Sequence, residues 1–127
     1  MVYITGYTGF IGQNLSHYLG EYVVGVNLRK QEPLVFQKGA AVVHLAGKAH
    51  DLKKTSVPSE YFIVNTELTK KVYDAFLASK AEVFVFMSTI KAAEGKDVGA
   101  SAYSQSKYQA EAYILAQKVP PGKRVYI

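Results

Sequence analysis

The sequence contains no cysteine. That absence excludes disulfides, thiolate catalysis and cysteine-ligated zinc, and no metal site is expected. It fits a cytoplasmic protein. No run of about 18 apolar residues is present either, so no transmembrane helix and no membrane partner is expected. No basic segment precedes the apolar start, and a glycine-rich stretch begins already at Gly6, so the N-terminus does not read as a signal peptide. Arginine is almost missing. Only Arg29 and Arg124 stand among the 15 basic residues, although the net charge is +5. Arginine is the residue suited to bidentate phosphate and base contacts. The lysines are scattered, with Lys53–Lys54 and Lys70–Lys71 the densest pairs. A nucleic-acid partner is therefore not expected; solubility and a general pull on anionic nucleotides explain the charge.

What is present suffices for one domain, 1–127, with a real core: 127 residues, of which 49% are hydrophobic. Strand and helix patterns alternate along it. Strands are expected near 2–5, at Tyr22 to Asn27, Ala41 to Leu45, Val83 to Met87, and from Arg124 onward. Helices are expected near 10–19, from Pro58 to about Ser79, and from about Ser101 to Gln117, ahead of the stop Pro120-Pro121-Gly122. Phe62, Leu68, Val72, Phe76 and Leu77 form the predicted buried stripe of the second helix. Residues 28–40 read as irregular and 47–57 as a polar loop. This alternation predicts an α/β fold, a doubly wound parallel sheet.

Residues 5–12 read Thr-Gly-Tyr-Thr-Gly-Phe-Ile-Gly, a G-x-x-G-x-x-G spacing between the first strand and first helix. Such a turn brings backbone N–H groups and a helix N-terminus to where a pyrophosphate can sit. Gly6, Gly9 and Gly12, with Phe10 and Ile11 in the helix start, are candidate cofactor-binding residues. A bare strand-to-helix turn is the other reading of the glycines.

Further landmarks follow in order: His44-Leu45-Ala46-Gly47 after the third strand, Asn65-Thr66 within the second helix, Met87-Ser88-Thr89 after the fourth strand, and Tyr103-Ser104-Gln105-Ser106-Lys107. Together with the glycine turn they resemble the extended short-chain dehydrogenase/reductase family, the nucleotide-sugar epimerases, dehydratases and reductases. The phrases Gly-Lys-Ala-His and Met-Ser-Thr-Ile-Lys resemble a subgroup serving bacterial surface polysaccharides. Leu68 departs from the family's usual glycine after Asn65-Thr66. The resemblance implies a Rossmann fold and NAD or NADP as cofactor. Leu45, Ala46, Gly47, Asn65, Met87, Ser88, Tyr103 and Lys107 would line it, and Thr89, Tyr103 and Lys107 would be catalytic. It also implies a nucleotide-diphosphate sugar substrate and a homodimer.

The chemistry is coherent in physical terms. Tyr103 and Lys107 share a helix face. An ammonium beside a phenol favours the phenolate and makes tyrosine a usable base. The Thr89 hydroxyl would stabilise charge on the substrate oxygen. His44, ending an apolar strand, reads as a core histidine rather than a base. Asn27 stands where an acidic residue selects NAD, and Arg29 and Lys30 follow, so NADP is favoured over NAD. The sequence stops inside a strand pattern, and the loop from Thr89 to Tyr103 is short. A truncated Rossmann portion without the substrate domain, inactive alone, is the expectation. The alternative is a dinucleotide-binding regulatory module that does no chemistry.

Overall fold

The computed structural model describes residues 1–30, 32–49 and 57–127; the Lys53–Lys54 pair lies outside them. The described residues form two compact units. One comprises Met1–Ala46, Val72–Met87 and Val119–Ile127; the other comprises Gly47–Lys71 and Ser88–Lys118.

In the first unit five short strands form one parallel sheet. They are β1 (Val2–Thr5), β2 (Val23–Val26), β3 (Ala41–His44), β4 (Val83–Phe86) and β5 (Arg124–Tyr126). The spatial order is β2-β1-β3-β4-β5. Val2 pairs with Val23 on one side and with Ala41 on the other. The chain therefore reverses its direction of travel between β1 and β3, and at such a switch point the carboxyl ends of two strands open a crevice. Most strand residues are β-branched or aromatic, and Tyr3, Ile4, Thr5, Val42, Phe84 and Phe86 are buried. Near-continuous apolar strands are what a parallel sheet requires. Helix α1 (Phe10–Leu19) follows β1 through the glycine turn. Gly12 is its buried residue, while Phe10 and Ile11 are 85% and 50% exposed. Among the described residues no strand separates β2 from β3. Instead Phe36 folds back, edge-on to Tyr3 at 5.2 Å.

The core of this unit is an aromatic cluster. Tyr73 and Phe76 pack on Phe84 with ring centroids 5.0 and 5.2 Å apart. Of the predicted stripe, Val72 and Phe76 are fully buried; Phe62, Leu68 and Leu77 are half-buried. The Lys123 ammonium caps the C-terminal end of the helix that precedes β4. It donates to the carbonyls of Phe76, Ser79 and Ala81 at 3.0, 2.9 and 2.5 Å and lies 4.4 Å above the Phe76 ring.

In the second unit the expected second helix begins as one turn, α2 (Pro58–Tyr61), with proline in the first turn where its missing N–H costs nothing. It widens into a π-helix over Phe62–Glu67 before resuming as α3 (Leu68–Ala78). A π segment is rare and is found mostly at functional sites. Helix α4 (Ala102–Ala116) packs against α2, the π segment and a 3₁₀ turn at Ile90–Glu94.

Candidate functional site

In the first unit the glycine turn is built from backbone contacts. Gly6 has φ +69°, and a Cβ on it would lie 2.7 Å from the Ala46 nitrogen. A Cβ on Gly12 would lie 2.3 Å from the Gly6 carbonyl oxygen. Both glycines are demanded by the fold itself. Gly9 differs: its Cβ would meet only the Gly6 carbonyl oxygen, at 3.3 Å. Gly9 caps α1 in extended conformation, with no side chain bonded to the first-turn N–H groups. The backbone N–H groups of Phe10, Ile11 and Gly12 belong to the turn that lacks intrahelical partners. N–H groups of this kind, at the positive end of a helix, could hold an anion. The Phe10 and Ile11 side chains are exposed, so these residues would meet such an anion through the main chain.

Leu45 and Ala46 stand at the carboxyl end of β3, beside the same turn. The Leu45 N–H donates to the Thr5 carbonyl at 3.2 Å and the Ala46 N–H to the Thr5 hydroxyl at 3.1 Å. The same hydroxyl is 2.6 Å from His44 Nδ1. His44 is fully buried and stacks on Phe86. It is a core histidine that ties β3 to β1. Met87 continues β4, its N–H bonded to the His44 carbonyl.

At the end of β2, Asn27 is exposed. Its Oδ1 accepts the Arg29 N–H at 3.0 Å, an Asx turn that fixes the amide. Lys30 sits 4.0 Å from Glu32, an exposed pair too weak to neutralise it. A cleft of about 210 Å³ opens here, lined by Tyr3, Gly25, Asn27, Lys30, Leu34 and Phe36 among others. No sequence pattern marks this cleft, because its wall at residues 33–36 is irregular chain.

The second unit carries the remaining candidates. Ser101 caps α4, accepting the Ser104 N–H at 3.1 Å, which fixes the first turn and Tyr103 in it. Lys107 follows one turn later on the same face and is only 7% exposed. Burial pulls its ammonium down to a pKa of about 8, against an opposing pull from Glu111. The Tyr103 ring lies edge-on to Tyr61 at 6.2 Å. Lys48 in turn is 5.7 Å above Tyr61 and 3.0 Å from Glu60. At the close approach of α4 to the 3₁₀ turn, a Cβ on Gly95 would lie 2.2 Å from the Ser104 carbonyl oxygen.

Asn65 in the π segment is almost fully buried. Its amide accepts the Lys48 N–H at 2.7 Å and donates to the Lys48 carbonyl and to Ser106 Oγ, both at 3.1 Å. Ser106 Oγ donates to the Tyr103 carbonyl at 2.8 Å, and Thr66 Oγ1 donates to the Ser106 carbonyl at 2.9 Å. Thr69 Oγ1 donates to the Asn65 carbonyl at 2.8 Å. The Asn65 side chain is thus a clamp holding the Gly47-Lys48 backbone to α4. Gly47 lies against it, where a Cβ would be 3.1 Å from Asn65 Oδ1.

After β4, the Thr89 Oγ1 accepts the Lys91 N–H at 3.3 Å. That bond uses the oxygen as an acceptor and not the hydroxyl proton. The Ser88 hydroxyl donates to Glu111 instead. Glu111, Ser106 and Tyr61 escaped the sequence reading. Glu111 had a signal, its position four residues after Lys107 on one helix face.

The model of the NAD dependent epimerase/dehydratase family matches residues 2–119. Among solved structures, MoeE5 in complex with UDP-glucose and NAD is 24% identical with TM-score 0.72, over 98% of this chain and 51% of that one. UDP-galactose 4-epimerase is 24% identical with TM-score 0.67, over 87% and 49%. RMD from Pseudomonas aeruginosa complexed with NADPH is 22% identical with TM-score 0.70, over 98% and 52%. At these identities the likeness is one of fold, and the chain spans about half the length of each. No curated protein matches the sequence. With the fold and the family match over residues 2–119 in agreement, the chain belongs to the NAD-dependent epimerase/dehydratase family.

Proposed function

We propose that this chain forms the dinucleotide-binding portion of an enzyme that transfers hydride between NAD(P) and a nucleotide-diphosphate sugar. The observation that carries the reading is the steric distinction among the glycines. Gly6 and Gly12 answer to the fold, whereas Gly9 leaves open space beside bare helix N–H groups. A pyrophosphate fits that cradle in charge and donor count. Gly6, Gly9, Phe10, Ile11, Gly12, Leu45, Ala46, Gly47, Met87 and Ser88 line the cofactor, and Asn65 acts through the Gly47-Lys48 backbone. When bound, NAD(P) supplies the hydride acceptor or donor.

The chain's own groups handle the proton. Lys107, charged at neutral pH, holds the ribose hydroxyls from one helical turn beyond Tyr103. Tyr103 exchanges a proton with the sugar oxygen, and the Thr89 hydroxyl donates a hydrogen bond to that oxygen as charge develops. The Asn27 turn with Arg29 and Lys30 favours the 2′-phosphate of NADP. The neighbours support a nucleotide-sugar substrate through their complexes with UDP-glucose and with NAD and UDP. No helix among the described residues is long and apolar enough to cross a membrane; we place the protein in the cytoplasm, as a homodimer without a nucleic-acid partner.

The test is Tyr103→Phe in the protein that carries this chain. Turnover of a UDP-sugar, read by nicotinamide absorbance, is expected to fall at least 100-fold, within the range for loss of a general acid–base group. Cofactor affinity is expected to stay within about threefold of the unsubstituted protein, about 0.6 kcal/mol. Undiminished turnover refutes the assignment.

A further inference from the structure

Helix α4 carries one carboxylate that the proposed chemistry does not use. Glu111 stands one turn beyond Lys107 on the same face, as Lys107 stands one turn beyond Tyr103. Its Oε1 accepts the Ser88 hydroxyl proton across 23 residues of sequence. Ser88 adjoins Thr89, so the contact joins the Ser88-Thr89 segment to the helix bearing both Tyr103 and Lys107. Elements packed against α4 also bring charged and titratable groups: Glu60 and Tyr61 in α2, Glu67 in the π segment, Lys91 and Glu94 in the 3₁₀ turn. Of these and the groups on α4, Glu111 is the charge that acts on Lys107, and it acts in the direction that keeps the ammonium.

We propose that Glu111 is a positioning residue for the Tyr103–Lys107 site, holding Ser88 and Thr89 in place through the Ser88 hydroxyl and supplying the counter-charge to the buried Lys107. The proposal rests on the function assigned above to Tyr103 and Lys107. Physically, a buried ammonium with no counter-charge releases its proton as pH rises and then cannot hold a hydroxyl oxygen as a cation. A carboxylate one turn away extends the pH range over which the lysine stays charged. The Ser88 donor keeps that carboxylate from turning to solvent.

The experiment is a side-chain NMR titration of Lys107 in the wild-type chain, in Glu111→Gln and in Ser88→Ala, with NADPH affinity measured in parallel at pH 6 and pH 8. In Glu111→Gln the Lys107 midpoint is expected to move down from its wild-type value. A fall from about 8 to about 7 lowers the ammonium fraction at pH 8 about fivefold and leaves it nearly full at pH 6. NADPH affinity should follow: about fivefold weaker at pH 8 and near wild type at pH 6. A merely structural role would weaken binding equally at both. In Ser88→Ala the carboxylate, no longer held by the hydroxyl, turns to solvent and the Lys107 midpoint moves down, as in Glu111→Gln. This variant decides the matter if Glu111→Gln does not fold. An unmoved Lys107 midpoint, or an equal affinity loss at both pH values, overturns the proposal. If the wild-type chain binds no dinucleotide, the function assigned above fails, and the NMR arm still decides whether Glu111 acts on Lys107.

Discussion

Replacing Gly9 by alanine separates the fold's need for glycine from the ligand's. Gly9 has φ −78° and ψ 172°, a conformation open to alanine. The new Cβ would meet one atom, the Gly6 carbonyl oxygen at 3.3 Å, which a shift of a few tenths of an ångström relieves. Alanine is a poorer helix cap than glycine by about 0.5–1 kcal/mol. The reduced freedom of the unfolded chain offsets this by about 0.4–1 kcal/mol. The folded chain should therefore keep its stability to within about 1 kcal/mol. Cofactor binding should not survive so well. The methyl group would stand beside the N–H groups of the α1 start, and each charge-assisted hydrogen bond lost there costs about 1.5–3 kcal/mol. Loss of one such bond weakens NADPH binding about 10- to 150-fold. Gly12→Ala is the contrast: its Cβ would lie 2.3 Å from a backbone oxygen, so unfolding should accompany any loss of binding. Thermal melts and calorimetric titrations of both variants are the assay. A Gly9→Ala chain that binds NADPH as tightly as the parent refutes the pyrophosphate cradle. A Gly12→Ala chain as stable as the parent refutes the steric argument.

Two further perturbations test the structure. The folded-state pKa of Lys107, about 8, lies below its unfolded value of 10.5, so the folded chain gives up this proton first. Its contribution to stability should then rise between about pH 8 and pH 10.5; Lys107→Met should abolish that slope in denaturant titrations and stabilise the chain at pH 7 by about 1–3 kcal/mol. Lys123→Met removes the three hydrogen bonds to Phe76, Ser79 and Ala81 and should lower stability by about 1–3 kcal/mol, seen as a lower melting temperature; an unchanged melt would show the cap to be idle.

Much of the fold was legible because the local and global signals agree. The glycine turn, the apolar strands and the strand-helix alternation all point to one parallel sheet, and β1 and α1 fall where the pattern puts them. The helix starting at Pro58 was legible in extent but not in winding. An apolar stripe at helical spacing does not report a turn widened to π, nor that Asn65 within it bonds to partners 17 and 41 residues away. Phe10 and Ile11 are large apolar residues at the start of α1, yet both are exposed, since apolar character in a sequence does not say what covers a side chain. The tyrosine–lysine pair was readable from its spacing. The depression of the Lys107 pKa was not, because burial depends on residues distant in sequence. Asn65 was singled out from the resemblance as cofactor-lining; its amide is engaged within the chain, a role visible only once loop and helix are brought together.

Dinucleotide binding is the claim on which the functional account depends, and a calorimetric titration of this chain with NAD and with NADP tests it most directly. The account predicts one-to-one binding of both, tighter for NADP because of Asn27, Arg29 and Lys30. Binding of neither would contradict the cradle at Gly9, and tighter binding of NAD would contradict the reading of the turn after β2.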